Sequence, residues 1–394
     1  MDYQFSQLSK NIKRSEIREL LKWTRKPGLI SFGGGLPDSC LFPLDEIGNI
    51  TKEVLENKGY LALQYGQTRG EPEMIEALCQ HMQEFGDIAR KKEVCVVSSS
   101  QQGLDLLSLL FLDENAPIVV EMPTYLGALQ AFQRHNPNMV GIPLDSNGMD
   151  LEILEKNLDQ LAEKPRFIYT IPDFQNPSGK TMSPERRKKL IEIAKEREIL
   201  IVEDSPYREL RYKGETIPSI WNLSEGQNVI MLKTFSKVLF PGMRMGWVVA
   251  NQDLIDKFVV IKQSVDLCTP AFNQLILANF LQKGFMKQTI EKAKECYKPK
   301  LATMLESLEE YMPQVVKWSR PEGGMFLWIE LPENIDTKEI FMKAIEHDVA
   351  YVIGSPFHHD GSGKNTMRLS YSFPSVKQIK KGIKRLAELV KTIL

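Results

Sequence analysis

No run of apolar residues in this sequence approaches the roughly 18 that a helix needs to cross a bilayer, which argues against a membrane span. The N-terminal stretch 1–14 is polar and lacks the apolar core of a secretory signal. Cysteine is scarce. Cys40, Cys79, Cys95, Cys268 and Cys296 are odd in number and far apart, with no C-x-x-C and no Cys/His ligand spacing. The sequence therefore offers neither a disulfide framework nor a metal site, and reduced thiols in a cytoplasmic protein fit best. A net charge of −1 supplies no global field for nucleic acid or an anionic membrane. Repeats and low-complexity tracts are absent. The triple glycine Gly33-Gly34-Gly35 does not complete G-x-G-x-x-G, and Pro37 and Pro43 follow it, so no nucleotide-binding helix begins there.

What is present is an ordinary globular balance, 42% apolar and 26% charged over 394 residues. At roughly 100–200 residues per domain, that length allows two or three. Short apolar runs at 94–97, 118–121, 139–142, 167–170, 200–203, 229–232 and 245–250 read as strands. Helical patterns at 102–112, 126–135, 183–196 and 252–264 lie between several of them. Such alternation predicts an α/β fold with an open, mostly parallel seven-stranded sheet, whose ligands sit outside the carboxyl ends of the strands. After Pro270 the pattern changes. Ile290, Ala293, Tyr297, Leu301, Met304 and Leu308 mark a long amphipathic helix. Strand-like runs follow at 325–330 and 367–370, then a last helix from Ser375 with a lysine-rich solvated face. This predicts a smaller α+β domain. The expected boundaries are 1–44 for an N-terminal segment packing with the small domain and over the site, 45–285 for the large domain and 286–394 for the small one.

Four segments at predicted strand ends can carry chemistry. Lys237, with Thr234, Ser236 and Arg244 around a Pro241-Gly242 break, offers a Schiff-base amine beside phosphate ligands. Asp204, with Tyr207 three residues on, offers a carboxylate for a protonated ring nitrogen. The turn Pro172-Asp173-Phe174-Gln175-Asn176-Pro177-Ser178-Gly179 can aim the Asn176 amide at a cleft. Ser98-Ser99-Ser100-Gln101 opens a helix, where backbone N–H groups and hydroxyls cradle a phosphate. Taken singly, each is equally a solvated lysine, a turn or a helix cap. Their combination and order carry the weight.

That order resembles the fold-type-I pyridoxal-phosphate (PLP) aminotransferases, and within them the aminoadipate/kynurenine aminotransferase-like subgroup. Further landmarks are Ile17-Arg18-Glu19-Leu20, Gly34-Gly35-Leu36-Pro37, Tyr65-Gly66-Gln67-Thr68-Arg69-Gly70, Gly323 to Trp328 and Met367-Arg368-Leu369-Ser370-Tyr371. The resemblance implies that PLP is the cofactor and that Lys237 binds it covalently and acts as base. It implies that Asp204 meets the ring nitrogen, that Tyr207 and Asn176 meet the ring oxygen, and that Tyr125 stacks on the ring. Ser100, Gln101, Thr234, Ser236 and Arg244 would hold the phosphate. Tyr65 would complete the site of a second subunit, hence a homodimer with shared active sites. Arg368 would grip the substrate carboxylate with Asn176 and the backbone near Gly35, and Arg18 would meet an acidic side chain. The implied reaction is ping-pong amino transfer between an L-amino acid and a 2-oxo acid. Glutamate and 2-oxoglutarate form one pair, with 2-aminoadipate, an aromatic or a branched-chain amino acid as the other donor. A β-lyase or decarboxylase on the same fold is the nearer alternative. The effector-binding domain of a transcription regulator is the further one, for which the stretch before Arg18 leaves no helix-turn-helix. Two departures stand out. Ser99 replaces the family's usual glycine, and the 355–364 loop carries His358, His359 and Asp360, which read as surface residues rather than a metal site.

Overall fold

A computed structural model describes residues 3–12, 26 and 28–394. Near its start β1 (Ile30–Ser31) leads into the strand-free stretch that contains the three glycines. The large sheet is formed by β2 (Val94–Val97), β3 (Pro117–Met122), β4 (Asn138–Asp145), β5 (Gly148–Met149), β6 (Phe167–Thr170), β7 (Leu200–Asp204), β8 (Val229–Thr234) and β9 (Gly246–Val249). Its order is β2-β9-β8-β7-β6-β3-β4-β5. The core ladders β4·β3, β3·β6, β6·β7 and β7·β8 are parallel. β9 runs against both of its neighbours and β5 against β4.

All seven strands read from the sequence lie in this sheet. Most are buried along their length, which is why they appear as nearly unbroken apolar runs rather than alternations. The eighth, β5, is a two-residue hairpin return (Leu144↔Met149), too short to leave a periodic signal.

Helices cover the sheet and begin where caps dictate. Ser183 Oγ accepts the Arg186 N–H ahead of Pro184–Glu196, with proline at the first turn. Asn251 does the same for Leu254 ahead of Gln252–Asp266. The helix Ser99–Phe111 sits close on the sheet because Gly103 faces Leu232, where an added Cβ would lie 3.1 Å from Cδ2. That contact places the start of the helix beside the end of β8.

The C-terminal part opens with the long helix Phe285–Tyr311. A four-stranded antiparallel sheet follows, formed by β10 (Lys317–Trp318), β11 (Phe326–Glu330), β13 (Val352–Ile353) and β14 (Thr366–Ser370), in the order β10-β11-β14-β13. β12 (Val349–Ala350) pairs in parallel with β1 in a separate two-stranded sheet, which ties the N-terminal segment to the C-terminal part. The last helix, Val376–Ile393, starts with a capping box between Ser375 and Gln378 and buries Ile379, Ile383 and Leu386. It docks, as its apolar face requires. Among the described residues, no helix is long and apolar enough to cross a membrane.

Candidate active site

The carboxyl ends of β6, β7 and β8 lie side by side. Asp204 ends β7, and Lys237 follows β8 after one short turn. The Asp204 Oδ2 accepts the Tyr169 hydroxyl at 2.7 Å, while its Oδ1 is buried with no hydrogen-bond partner. Burial pushes this carboxyl up to about 7, against the opposing pull of Tyr169 and Lys237. The Lys237 ammonium donates to the Gly35 carbonyl at 2.9 Å. Desolvation, with repulsion from Arg368 and Arg244, brings its amine down to about 8. A lysine so poised is available as a neutral nucleophile or base near neutral pH.

Asn176 and Arg368 lie beside this pair. Arg368, on β14, donates from Nη1 to Asn176 Oδ1 at 2.8 Å and from Nη2 to the Gly33 carbonyl at 3.0 Å. Its Nε is buried and unpaired, and the guanidinium lies 4.2 Å from the Phe326 ring centroid and 5.1 Å from that of Phe357. Burial lowers it to about 10. A planar fork with a spare donor between two aromatic faces is suited to a carboxylate. The Asn176 amide reaches toward the Tyr207 hydroxyl at 3.5 Å, and Tyr207 is braced edge-on by Phe326. Burial raises the Tyr207 hydroxyl above its ordinary range.

A third group gathers at the start of the helix Ser99–Phe111. Arg244 Nη2 donates to Ser99 Oγ at 2.5 Å. Thr234 Oγ1 lies 3.0 Å from Ser236 Oγ, and the Ser236 N–H donates to the same Thr234 oxygen. Ser100 occupies the first helical turn. Gln101 donates to the Gly127 carbonyl and accepts the Tyr125 hydroxyl at 3.2 Å. Ser99 has φ 65°, the left-handed region that glycine adopts without cost, which accounts for glycine as the family's usual choice. Hydroxyls, a guanidinium and a helix N-terminus together make an anion cradle, and Ser98, Gln101 and Arg244 also line an open cleft of about 1240 Å³.

The structure thus brings together Lys237, Asp204, Tyr207, Asn176, Arg368 and Gly35 on one side, and Ser100, Gln101, Tyr125, Thr234, Ser236 and Arg244 on the other. It does not bring in Tyr65, which is 79% exposed on this chain. Arg18 lies outside the described residues. His358 and His359 are half-buried and line the same open cleft as Gln101 and Arg244, whose lining does not include Lys237, Asp204 or Arg368. His358 stacks on Trp328, is held near 4 by burial and pairs through Nδ1 with Ser362 Oγ at 2.9 Å. Neither histidine joins a three-ligand cluster among the described residues.

Three contributors are not evident from the sequence. Tyr169 aligns with Val202, two residues before Asp204, so the two side chains share one face of the sheet. Gly33 supplies the carbonyl that anchors Arg368. Glu121, next to last in β3, is buried and accepts from Thr170 Oγ1 at 2.5 Å, the Ile171 N–H at 3.2 Å and Gln175 Nε2 at 3.0 Å, and so fixes the turn that presents Asn176. Burial pushes the Glu121 carboxyl up to about 7.

The residues fit pyridoxal phosphate. The unpaired Asp204 Oδ1 suits a ring N–H, the cradle a phosphate and Lys237 an aldehyde. Residues 38–386 match the model of the family described as aminotransferase class I and II. The aromatic-amino-acid aminotransferase 1 of Thermococcus litoralis is 48% identical over 99% of this chain and 95% of its own length. Among solved structures, a multiple substrate aminotransferase from Thermococcus profundus superposes with a TM-score of 0.95 at 47% identity, covering 98% of this chain and 97% of that one. The α-aminoadipate aminotransferase of Thermus thermophilus, solved with N-(5′-phosphopyridoxyl)-L-leucine, gives 0.91 at 39% identity over 99% and 97%.

Proposed function

The chain belongs to the class I and II aminotransferase family, and we propose that Lys237, Asp204, Tyr207, Asn176 and Arg368 carry its reaction. The protein is a PLP-dependent enzyme that moves an amino group between an amino acid and a 2-oxo acid. The cofactor, when bound, supplies an aldehyde for the substrate amine and a ring that accepts the electron pair left as the Cα–H bond breaks. In this reading Lys237 would hold the cofactor and, once released by the substrate amine, would serve as the base for the Cα proton. Asp204 Oδ1 keeps the ring nitrogen protonated. Tyr207 and the Asn176 amide would hold the ring oxygen, and Tyr125 would stack on the ring. Ser100, Gln101, Thr234, Ser236 and Arg244 hold the phosphate. Arg368 and Asn176 grip the substrate carboxylate, with the backbone at Gly35 alongside, which favours amino transfer over loss of that carboxylate. The observation that carries the reading is the pairing of a buried, half-satisfied Asp204 with a low-pKa lysine at neighbouring strand ends.

For substrates, we propose glutamate and 2-oxoglutarate as one pair. The other donor is 2-aminoadipate, an aromatic or a branched-chain amino acid, in keeping with the names of the relatives. The division at 1–44, 45–285 and 286–394 is retained. It is supported by the confinement of the large sheet to 94–249 and by the β1·β12 pairing. A homodimer is supported by the exposed Tyr60, Leu63 and Tyr65, which leave an apolar surface around the Tyr65 loop. Five free cysteines suit the cytoplasm.

Steady-state kinetics of wild type and Arg368→Ala across a donor panel, with 2-oxoglutarate as acceptor, test the reading. A carboxylate grip predicts that KM rises for every donor whatever its side chain, by the ~1.5–3 kcal/mol of a charge-assisted bond. A change confined to one donor class would assign Arg368 to the side-chain pocket instead.

A further inference from the structure

Away from the active site, the N-terminal strap meets the long helix Phe285–Tyr311 at a group of ligand-type side chains. Asp38 caps the short turn Ser39–Leu41, accepting the Cys40 N–H at 3.1 Å, and its own N–H donates to the Tyr297 hydroxyl at 2.9 Å. Cys296, the residue before Tyr297, places its sulfur 3.9 Å from Asp38 Oδ2. The Cys40 sulfur, the Cys296 sulfur and an Asp38 oxygen all lie within 4.8 Å of one another. Cys40 is exposed, and both cysteines border a cleft of about 710 Å³ that also carries Asp45, Glu46 and Glu295.

The geometry points to a binding site for a soft divalent cation, zinc in the first instance, held by the two cysteine sulfurs and the Asp38 carboxylate. Two thiolates select a soft ion over magnesium or calcium, and three protein ligands leave a fourth position facing the cleft. Lys300 lies 2.6 Å from Asp38 Oδ2 but is also bound to the Ser372 carbonyl at 2.7 Å. Its ammonium competes for one carboxylate oxygen and also meets the Cys296 sulfur, so a bound ion must displace it from both, which further disfavours hard ions that need the carboxylate most. The site also has something to hold. The strap that ends at Asp38 supplies the Gly33 carbonyl to Arg368, the Gly35 carbonyl to Lys237 and the Leu36 carbonyl to the Ser372 hydroxyl. An ion clamping Asp38 and Cys40 to Cys296 fixes the far end of that strap.

The test uses the holoenzyme, prepared under a phosphine reductant and free of chelator, titrated with Cd²⁺ and separately with Zn²⁺. One equivalent of Cd²⁺ per chain should bind with an ultraviolet sulfur-to-cadmium charge-transfer band. Zn²⁺ should raise the thermal midpoint and slow alkylation of Cys40, and Mg²⁺ should do neither. Cys40→Ser and Cys296→Ser should each weaken cadmium binding at least about tenfold and shrink the band. Asp38→Asn should weaken binding while keeping the band. Equal cadmium uptake by wild type and the Cys40→Ser/Cys296→Ser double variant overturns the site. So does unchanged alkylation of Cys40 at saturating zinc.

Discussion

Tyr169→Phe removes one oxygen from the buried centre of the site and leaves its shape unchanged. The lost hydroxyl is the donor, at 2.7 Å, to Asp204 Oδ2. Asp204 already sits at about 7 because it is buried, and Tyr169 is the largest influence holding it down. A hydrogen bond to an ionised group contributes about 1.5–3 kcal/mol, which is roughly 1–2 pK units at about 1.4 kcal/mol each. The variant's Asp204 should therefore titrate about 1–2 units higher still, and at pH 7 its ionised fraction should fall roughly 5- to 50-fold. Only the ionised form pairs with a protonated ring nitrogen, so cofactor affinity at pH 7 should fall by a similar factor. The assay is equilibrium dialysis of PLP against pH in a Lys237→Ala background, where covalent attachment cannot contribute. The acid limb of the binding profile should move upward by about 1–2 units, and affinity above that limb should recover. A merely structural Tyr169 would weaken binding equally at every pH. An unmoved acid limb would refute the assignment of Asp204 as the ring partner.

Lys237→Ala in the otherwise native protein should retain the fold while turnover falls by more than the ~10²–10⁴ assigned to a general base; circular dichroism and donor turnover check both, and near-native transamination would sink the lysine's role. Tyr65→Phe should speed cofactor loss by about tenfold, the lower end of a hydrogen bond to a charged group, in a protein that sediments as a dimer; a fully active wild-type monomer would rule out a shared site.

The sequence is legible where burial is uniform. Strands such as β2, β6 and β8 are shielded on both faces and appear as bare apolar runs, while the two-residue strands β1, β5, β10, β12 and β13 are too short to show any period. The site was legible wherever chemistry sits at a strand end, as at Asp204 and Lys237. Tyr169 was hidden because only strand register puts it on the same face as Asp204. Glu121 was hidden because its partners, Thr170 and Gln175, lie on another strand and its turn. Ser99 was visible as a departure from glycine, but only its positive φ explains why glycine is usual there. Cys40 and Cys296 showed no ligand spacing because they are brought together by tertiary packing from opposite ends of the chain. The two histidines, read as surface residues, are half-buried beside an open cleft, with His358 stacked on Trp328.

The most direct test of amino transfer at Lys237 is a half-reaction. PLP-loaded enzyme is mixed with glutamate and no oxo acid, and the 2-oxo acid and ammonia released are counted per chain. The account predicts one equivalent of 2-oxoglutarate, no ammonia, and a stop until a second oxo acid is added. Lys237→Ala should release neither on the same timescale. Continuous ammonia or carbon dioxide release from the wild type, or no 2-oxoglutarate at all, would contradict it.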